Sequence, residues 1–431
     1  SSDLAYIHNH LQSTQNSFGL AACVPVPSAP DATLNPAQKW TWFQQKQALA
    51  SFSGEWDFAP GWTAAVKYGY SWHERPYLSP GSIQILNGRG DTRLSPVAID
   101  SGYEMHSALA TVRGKFDTGP VAHEVTAGYS WDLMTYDAAP NRSVGAYFSN
   151  LYAPVYAAEP RIAAAGPRRK TFESRSSGVS FSDQLSILDG RLSFLAGGRR
   201  AMIDYDSFNN VTGAQTLDQK NAKTTPAFAV FAKPTAATML YANYVKGLER
   251  GGTAPATAVN ANEVMPAIET RQIEIGAKAE FGGLTATAAL FEIEKGYEYL
   301  YASNRYVQDG KQVHRGVEFL LSGDVTTGVR LIGGVTLLDP KTKNTGSSAT
   351  EGKKPIGVSD VGAALYGEYD LPWVEGMTLQ SGLYYGSAQY VDADNTQSIP
   401  DWVRWDLGLR YTTDVLGNQA TLRAGVENVL G

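Results

Sequence analysis

Cysteine is almost absent from this sequence. Among 431 residues there is only Cys23, which alone can neither close an internal disulfide nor build a zinc site, and which reads as an inert loop residue. Charge is scarce as well: Asp, Glu, Lys and Arg make up 18% of the chain, where about 25% is usual. Long apolar runs are missing too. The longest is about six residues, as at 227–232, whereas a membrane-spanning helix needs roughly 18. Net charge is −6 with the two signs interleaved, which gives no basic footprint for nucleic acid. The histidines, His8, His10, His73, His106, His123 and His314, form no His-Glu-x-x-His pair and no Cys-His cluster, so catalysis has no support and no metal site is expected. Residues 346–353 resemble a phosphate loop only superficially, because five residues separate Gly346 from Gly352 and Lys354 stands where Ser or Thr belongs; they read as a flexible loop. Arg89-Gly90-Asp91 reads as an exposed turn. Residues 1–10 lack the basic region and apolar core of a secretory signal, so the start does not report the compartment.

What replaces charge is Gly (43), Tyr (23) and Trp (9) with many small polar residues, a mixture suited to β-sheet, turns and lipid headgroup interfaces. Apolar and polar residues alternate strictly in segment after segment. In 402–411, Val403, Trp405, Leu407, Leu409 and Tyr411 share one face, while Arg404, Asp406, Gly408 and Arg410 share the other. Ile273, Ile275, Ala277, Ala279 and Phe281 oppose Gln272, Glu274, Gly276, Lys278 and Glu280 in the same way. The stretch 284–300 gives no clear phase. The pattern predicts strands over 42–58, 62–76, 103–117, 121–135, 173–187, 191–205, 223–233, 237–249, 268–281, 284–302, 312–323, 329–338, 356–370, 377–391, 400–413 and 418–429.

Short turns such as Ala59-Pro60-Gly61, Thr118-Gly119-Pro120, Leu188-Asp189-Gly190, Gly282-Gly283 and Leu416-Gly417 alternate with long connections at 77–102, 136–172, 206–222, 250–267 and 339–355, and two shorter ones at 303–311 and 392–399. Tight turns at one end and large loops at the other are the signature of a transmembrane barrel rather than a sandwich. In lipid every backbone polar group must be paired internally, so a spanning sheet has to close. A charge such as Arg404 on the lipid face would cost roughly 2–4 kcal/mol near the midplane, which assigns the charged face to the lumen. Trp56, Phe58, Trp62, Trp373 and Tyr411, near strand ends, suit an interfacial girdle. Lumen charges such as Arg404, Asp406, Arg410, Arg423 and Glu427 are expected to pair among themselves, and Arg161, Arg168, Arg169 and Lys170, around the longest loop, to form a solvated face.

Seven stretches then resemble the barrel of TonB-dependent siderophore receptors, nearest the ferrichrome and coprogen type: YANYVKGLERGGTAP (241–255), ETRQIEIGAKAEF (269–281), HRGVEFLLSG (314–323), GKKPIGVSD (352–360), YDLPWVEGMTL (369–379), IPDWVRWDLGLRY (399–411) and LRAGVENVLG (422–431). The resemblance covers roughly 40–431 in the family's order. It implies an all-β, antiparallel barrel of the 22-stranded type, filled by an N-terminal plug and importing ferric siderophores with energy relayed by the inner-membrane TonB complex. The chain as a whole, 1–431, is then expected to be a barrel fragment with about 16–17 strands, residues 1–10 ending an earlier strand, and the plug, the TonB-contacting segment and the closing strand absent. The implied partners are a ferric siderophore of hydroxamate type, TonB through the missing N-terminal region, and outer-membrane lipid and lipopolysaccharide; the protein is expected to be a monomer in the bacterial outer membrane. No cofactor is implied, since iron arrives already chelated.

A bulky, oxygen-rich chelate needs a concave site with aromatic faces and a few Arg or Tyr donors. Residues of that kind near loop mouths are Trp72, Arg75, Tyr77, Tyr136, Tyr147, Tyr152, Tyr156, Arg250, Tyr297, Tyr299, Tyr301, Tyr306, Tyr390 and Trp402, with Tyr297, Tyr299 and Tyr301 placed to form a ladder into the lumen. Two other readings stay open at this point. A passive porin fits the bare strand count, and a surface adhesin or phage-docking barrel would use the loops without a small ligand.

Overall fold

The chain is described by a computed structural model that covers every residue except 13–16, 32, 256, 262, 302 and 431. No helix occurs among the described residues. A long strand occupies each of the sixteen predicted segments, and Ser2–Leu11 adds a further one. The chain divides into two compact units. One comprises Ser1–Phe116, Glu124–Ser182 and Gly198–Thr224; the other comprises Asp117–His123, Asp183–Gly197 and Thr225–Gly431.

In the first unit, Ser2–Leu11 pairs antiparallel with Trp42–Ala59, which pairs with Trp62–Ser79, which pairs with Val97–Thr118. Alternation sorts their side chains. Phe52 lies opposite Tyr68, Val66 opposite Ala110, and Trp56 opposite Ala64, all on an apolar face. Ser53 lies opposite Lys67, and Asp57 opposite Thr63, which faces Arg113, all on a polar face. Aromatic rings gather on the apolar face beside the tight turn: Trp56 and Phe58 (5.6 Å), Phe58 and Trp62 (6.3 Å), Trp62 and Phe116 (6.4 Å). A second belt of Tyr68, Tyr70, His106 and Trp131 lies farther along the same face, His106 being 5.0 Å from Tyr70 and 6.4 Å from Trp131. Trp62 and Trp72 are thus about ten residues apart on one strand, the span a tilted strand needs to cross a bilayer.

In the second unit each strand pairs antiparallel with the next, through Gln215–Thr235, Thr238–Glu249, Ile268–Phe281, Leu284–Leu300, Tyr306–Thr326, Val329–Lys343, Val361–Asp370, Met377–Gly386, Trp402–Val415 and Asn418–Val426. Ile275, Leu290, Val317 and Leu337 form one cross-strand row on the apolar face, and Leu365, Leu383 and Trp405 another. The polar face carries Glu368, which accepts hydrogen bonds from Arg330, Arg410, Gln380 and Tyr366. The tight turns are left-handed where expected: Leu416 and Gly417 both have positive φ (54° and 80°), which is the geometry of a two-residue hairpin turn.

Several segments depart from the sequence reading, mostly at the loop-side ends. Strands there outrun the predicted limits, as Tyr306–Thr326 does against 312–323, because backbone pairing continues past the stretch in which polarity alternates. The connection 77–102 and the residues around it contain Ser82–Ile85, Asp91–Leu94, Ser17–Leu20 and Tyr147–Asn150, which pair into a small sheet of their own. Ile83 and Leu94 are fully buried in it, and Val24, Ile85 and Leu151 make a small core with Leu20 and Ala21. Residues 346–353 are knit rather than loose: Glu351 accepts the backbone N–H and hydroxyl of Thr345. Arg168 is no solvated group either, since it pairs with Glu74 (3.1 Å) and Asp100. In Arg89-Gly90-Asp91 the two charged residues are exposed as expected, but Gly90 is buried against Tyr152, with φ +83° and its N–H donated to the Asn87 carbonyl.

Candidate ligand-binding surface

The polar face of the first unit changes character toward the long loops. Phe43 and Tyr77 stand opposite one another with ring centroids 5.7 Å apart. Tyr136, Phe172 and Tyr205 form a second row at 5.1 and 5.5 Å. His73 stacks on Tyr103 at 4.1 Å. The Arg75 guanidinium lies over two rings, 5.6 Å from Phe43 and 5.9 Å from Tyr103, a placement that holds the fork by its faces and leaves its N–H edge for a ligand oxygen. Burial, and then the neighbouring Tyr136, push the Tyr77 phenol up, so it stays a neutral hydrogen-bond donor.

The predicted residues of this unit separate into three groups. Arg75, Tyr77 and Tyr136 lie on this surface. Trp72 lies on the opposite, apolar face, in register with Ala48 and Glu104. Tyr147, Tyr152 and Tyr156 tie loops together: Tyr147 packs edge-on to Trp40 (5.4 Å), the Tyr152 hydroxyl donates to the Ser28 carbonyl (2.9 Å), and the Tyr156 hydroxyl donates to the Asn35 carbonyl (2.9 Å). Gln38, almost wholly buried, completes the tie by bonding the backbone of Val155 and Ala157.

In the second unit Tyr297, Tyr299 and Tyr301 stack in a row with centroids 5.8 and 6.5 Å apart, a bulge lying between the first two. The Tyr299 hydroxyl donates to the Asn344 carbonyl (3.2 Å), and Tyr301 fills the space over Gly346. Burial and a hydrogen bond with Asp309 push the Tyr299 phenol up to about 12. Tyr306 bonds Glu298 (3.1 Å), and burial together with that carboxylate raises it to about 12 as well. Arg250 reaches Thr253. Tyr390 carries Lys354 5.9 Å above its ring. Trp402 covers Gly386, and one turn of the pleat away Arg404 stacks on Tyr384 at 4.5 Å while pairing with Asp406 at 3.0 Å. The expected pairing of lumen charges is thus seen for Arg404 with Asp406, whereas Arg410 pairs with Glu368.

Phe43, Tyr103, Phe172, Tyr205 and Tyr384 complete these surfaces and were absent from the predicted set. For Phe43, Tyr103 and Tyr384 the signal was available: each lies at an even step along its strand from a polar-face residue, with the paired strand's aromatic opposite or diagonal to it.

A family model described as "TonB dependent receptor-like, beta-barrel" matches residues 5–429. The chain belongs to that family. Its fold is accordingly the TonB-dependent receptor β-barrel, integral to the bacterial outer membrane, and the porin reading falls away. The chain is 31% identical to the ferrichrome receptor FcuA of Yersinia enterocolitica, over 99% of this chain and 57% of the relative. It is 24% identical to the ferrioxamine B receptor of Salmonella typhimurium, over 90% and 55%. It is similar in structure to BauA, the ferric preacinetobactin receptor of Acinetobacter baumannii, with a TM-score of 0.87 at 29% identity, covering all of this chain and 65% of that one. The chain therefore spans rather more than half the length of the curated relatives it matches. Proteins of this family are receptors and transporters. In a TonB-dependent receptor barrel the apolar faces described above meet lipid, the polar faces line the lumen, and the long loops lie outside the cell.

Proposed function

We propose that this TonB-dependent receptor barrel binds a ferric siderophore at its extracellular mouth and that the longer protein of which it is the barrel portion imports the chelate to the periplasm with TonB-coupled energy. The observation that carries the reading is Arg75 held between Phe43 and Tyr103 beside Tyr77, on the lumenal face at loop level. An apolar-walled, oxygen-coated chelate is matched by ring faces for its scaffold and by guanidinium and phenol donors for its oxygens. Two relatives are named as receptors for ferrichrome and for ferrioxamine B, which supports a cargo of the hydroxamate class. The contact residues proposed are Arg75, Tyr77 and Tyr136 in the first unit; in the second, Tyr297, Tyr299, Tyr301, Tyr384, Trp402 and Arg404 form a surface of like character. Tyr147, Tyr152, Tyr156, Tyr306, Tyr390 and Arg250 shape the loops around them, and Trp72 sits in the outer aromatic belt.

The proposed mechanism is tight binding at the mouth, occlusion by the loops, and rearrangement of an N-terminal plug pulled from the periplasm through TonB. Iron arrives chelated, so the barrel holds no cofactor and performs no enzymatic step. It works as a monomer surrounded by lipid and lipopolysaccharide. The test is tryptophan fluorescence of the full-length receptor titrated with ferrichrome and ferrioxamine B against their iron-free forms. Saturable quenching by a ferric form at sub-micromolar concentration is expected. No quenching by any ferric siderophore, together with open-channel conductance in a planar bilayer, overturns the reading.

A further inference from the structure

Arg75 stands alone in its charge on the lumenal wall of the first unit near the mouth. Strand register puts the odd-numbered side chains from Phe43 to Leu49, from Ser71 to Tyr77 and from Ile99 to Met105 on one face, and no Asp, Glu, Lys or Arg is among them except Arg75. Glu74, Asp100 and Glu104 lie at the same height but on the opposite face. Two of them already hold cations there: Glu74 pairs with Arg168 (3.1 Å) and Lys46 (3.2 Å), and Asp100 pairs with Arg168. Among the described residues no carboxylate pairs with Arg75. Arg404, the arginine of the like surface in the second unit, instead brings its own counter-charge in Asp406 (3.0 Å).

The uncompensated guanidinium is also fixed in place. It lies over Phe43 (5.6 Å) and Tyr103 (5.9 Å), and the buried Ser101 hydroxyl donates to the Arg75 carbonyl (3.3 Å). A half-buried charge held in this way favours an oxygen-rich or anionic edge and opposes any second cation brought beside it. Ring faces could otherwise attract an ammonium group, but here they are in use. Arg75 covers Phe43 and Tyr103, and His73 stacks on Tyr103 at 4.1 Å. What the wall has left to offer is N–H and O–H donors, from Arg75, Tyr77 and Tyr136, with no carboxylate to receive a cationic arm.

We infer that Arg75 selects the cargo by charge, so that the site takes neutral or anionic ferric chelates and discriminates against those that carry a cationic arm. The inference rests on the siderophore reading above and narrows its substrate class. For an ammonium brought to roughly 8 Å from the guanidinium at a partly wet wall, the repulsion amounts to about fivefold in affinity. Salt weakens it, because the wall is open to solvent.

The test compares chelates that differ only in one charge. Ferrioxamine B, which has a free ammonium arm, and a ferrichrome derivative bearing one amine arm are each titrated as the amine and as the N-acetyl form, by tryptophan quenching in the full-length receptor. Acetylation leaves the three hydroxamates and the iron untouched. Whichever scaffold the wild type accepts, its acetyl form is expected to bind about fivefold tighter, and the gain to shrink as salt is raised. The gain should vanish in Arg75→Gln and survive in Arg75→Lys, which keeps the charge. Gln45→Glu sets a carboxylate on the same face, where the Gln45 amide now meets His73 (3.3 Å), and is expected to cancel or reverse the gain. Equal affinity of amine and acetyl forms in the wild type, or a gain that persists in Arg75→Gln, overturns the selection by Arg75 and leaves the siderophore reading standing. Absence of quenching by every ferric siderophore overturns that reading and the selection with it.

Discussion

Replacing Glu298 by Ala is expected to unfasten the extracellular loop 250–267. The Glu298 carboxylate accepts the Gly252 N–H on both oxygens (2.8 and 3.0 Å), the Tyr306 hydroxyl (3.1 Å) and the Gln308 amide (2.8 Å), and Gln308 in turn donates to the Pro266 carbonyl (2.7 Å). One side chain thereby holds both ends of the loop, Gly252 directly and Pro266 through Gln308. Each hydrogen bond to a charged group contributes about 1.5–3 kcal/mol, and water replaces part of this at a half-buried site, so the latch is worth ~2–4 kcal/mol in total. At about 1.4 kcal/mol per factor of ten, the open population should rise roughly 30- to 700-fold. Amide hydrogen exchange of peptides from 250–267 in the full-length receptor reads this directly, because exchange there follows local opening. Gly252→Ala should act in the same direction, since a Cβ at Gly252 would sit 2.1 Å from a Glu298 carboxylate oxygen. Glu298→Gln, which keeps one acceptor but turns an N–H₂ toward Gln308, should fall between. Unchanged exchange in Glu298→Ala would refute the latch.

The phenols of Tyr299 and Tyr306 should titrate near 12 by phenolate absorbance while free tyrosines titrate near 10; because folding raises these values, the loop contacts keep their full stability below about pH 10 and lose it between about 10 and 12, and ordinary titration of both would contradict the burial described. Arg75→Gln should weaken ferric siderophore binding about tenfold, the loss of one charge-assisted hydrogen bond, while Tyr152→Phe, whose hydroxyl is spent on Ser28, should leave affinity unchanged; a reversed order in quenching titrations would move the site to the loop crown. Glu368→Ala leaves Arg410 without its carboxylate and removes one of the two serving Arg330, so a loss of ~2–4 kcal/mol and a lower heat-denaturation temperature are expected, against little change for Gln380→Ala; equal melting of the two would show the cluster to be fully solvated.

The strands of this barrel were legible because the bilayer enforces a two-state environment: between the aromatic belts one neighbour in two meets hydrocarbon, and the period survives in the sequence. The stretch 284–300 shows where that rule ends. Ala286, Ala288 and Leu290 face lipid, yet Phe291 is also apolar on the lumenal face over Gly316, and Glu292 and Glu294 are charged on the outward face because they stand above the bilayer. Polarity there reports height as well as face, and a sequence gives no height. Trp72 lies on the apolar face, whereas Arg75 and Tyr77, an odd number of residues away, lie on the other, a difference that strand parity alone carries. In the loops, Ile83 and Leu94 alternate with polar residues over only four positions each, too few to tell a strand from a turn.

The antiparallel chain of pairings in the second unit has a kinetic consequence. From Thr238–Glu249 onward every strand bonds to the strand that follows it along the sheet, most across a two- to six-residue turn or a loop shorter than twenty, so loop-closure costs stay small at each step. Assembly can therefore proceed by accretion, each hairpin templating the next without a distant partner, which places this half among fast-zippering rather than collapse-limited sheets. The Ser2–Leu11 strand is different: it pairs with Trp42–Ala59, some forty residues on, so closing that loop costs more than closing any of the turns above.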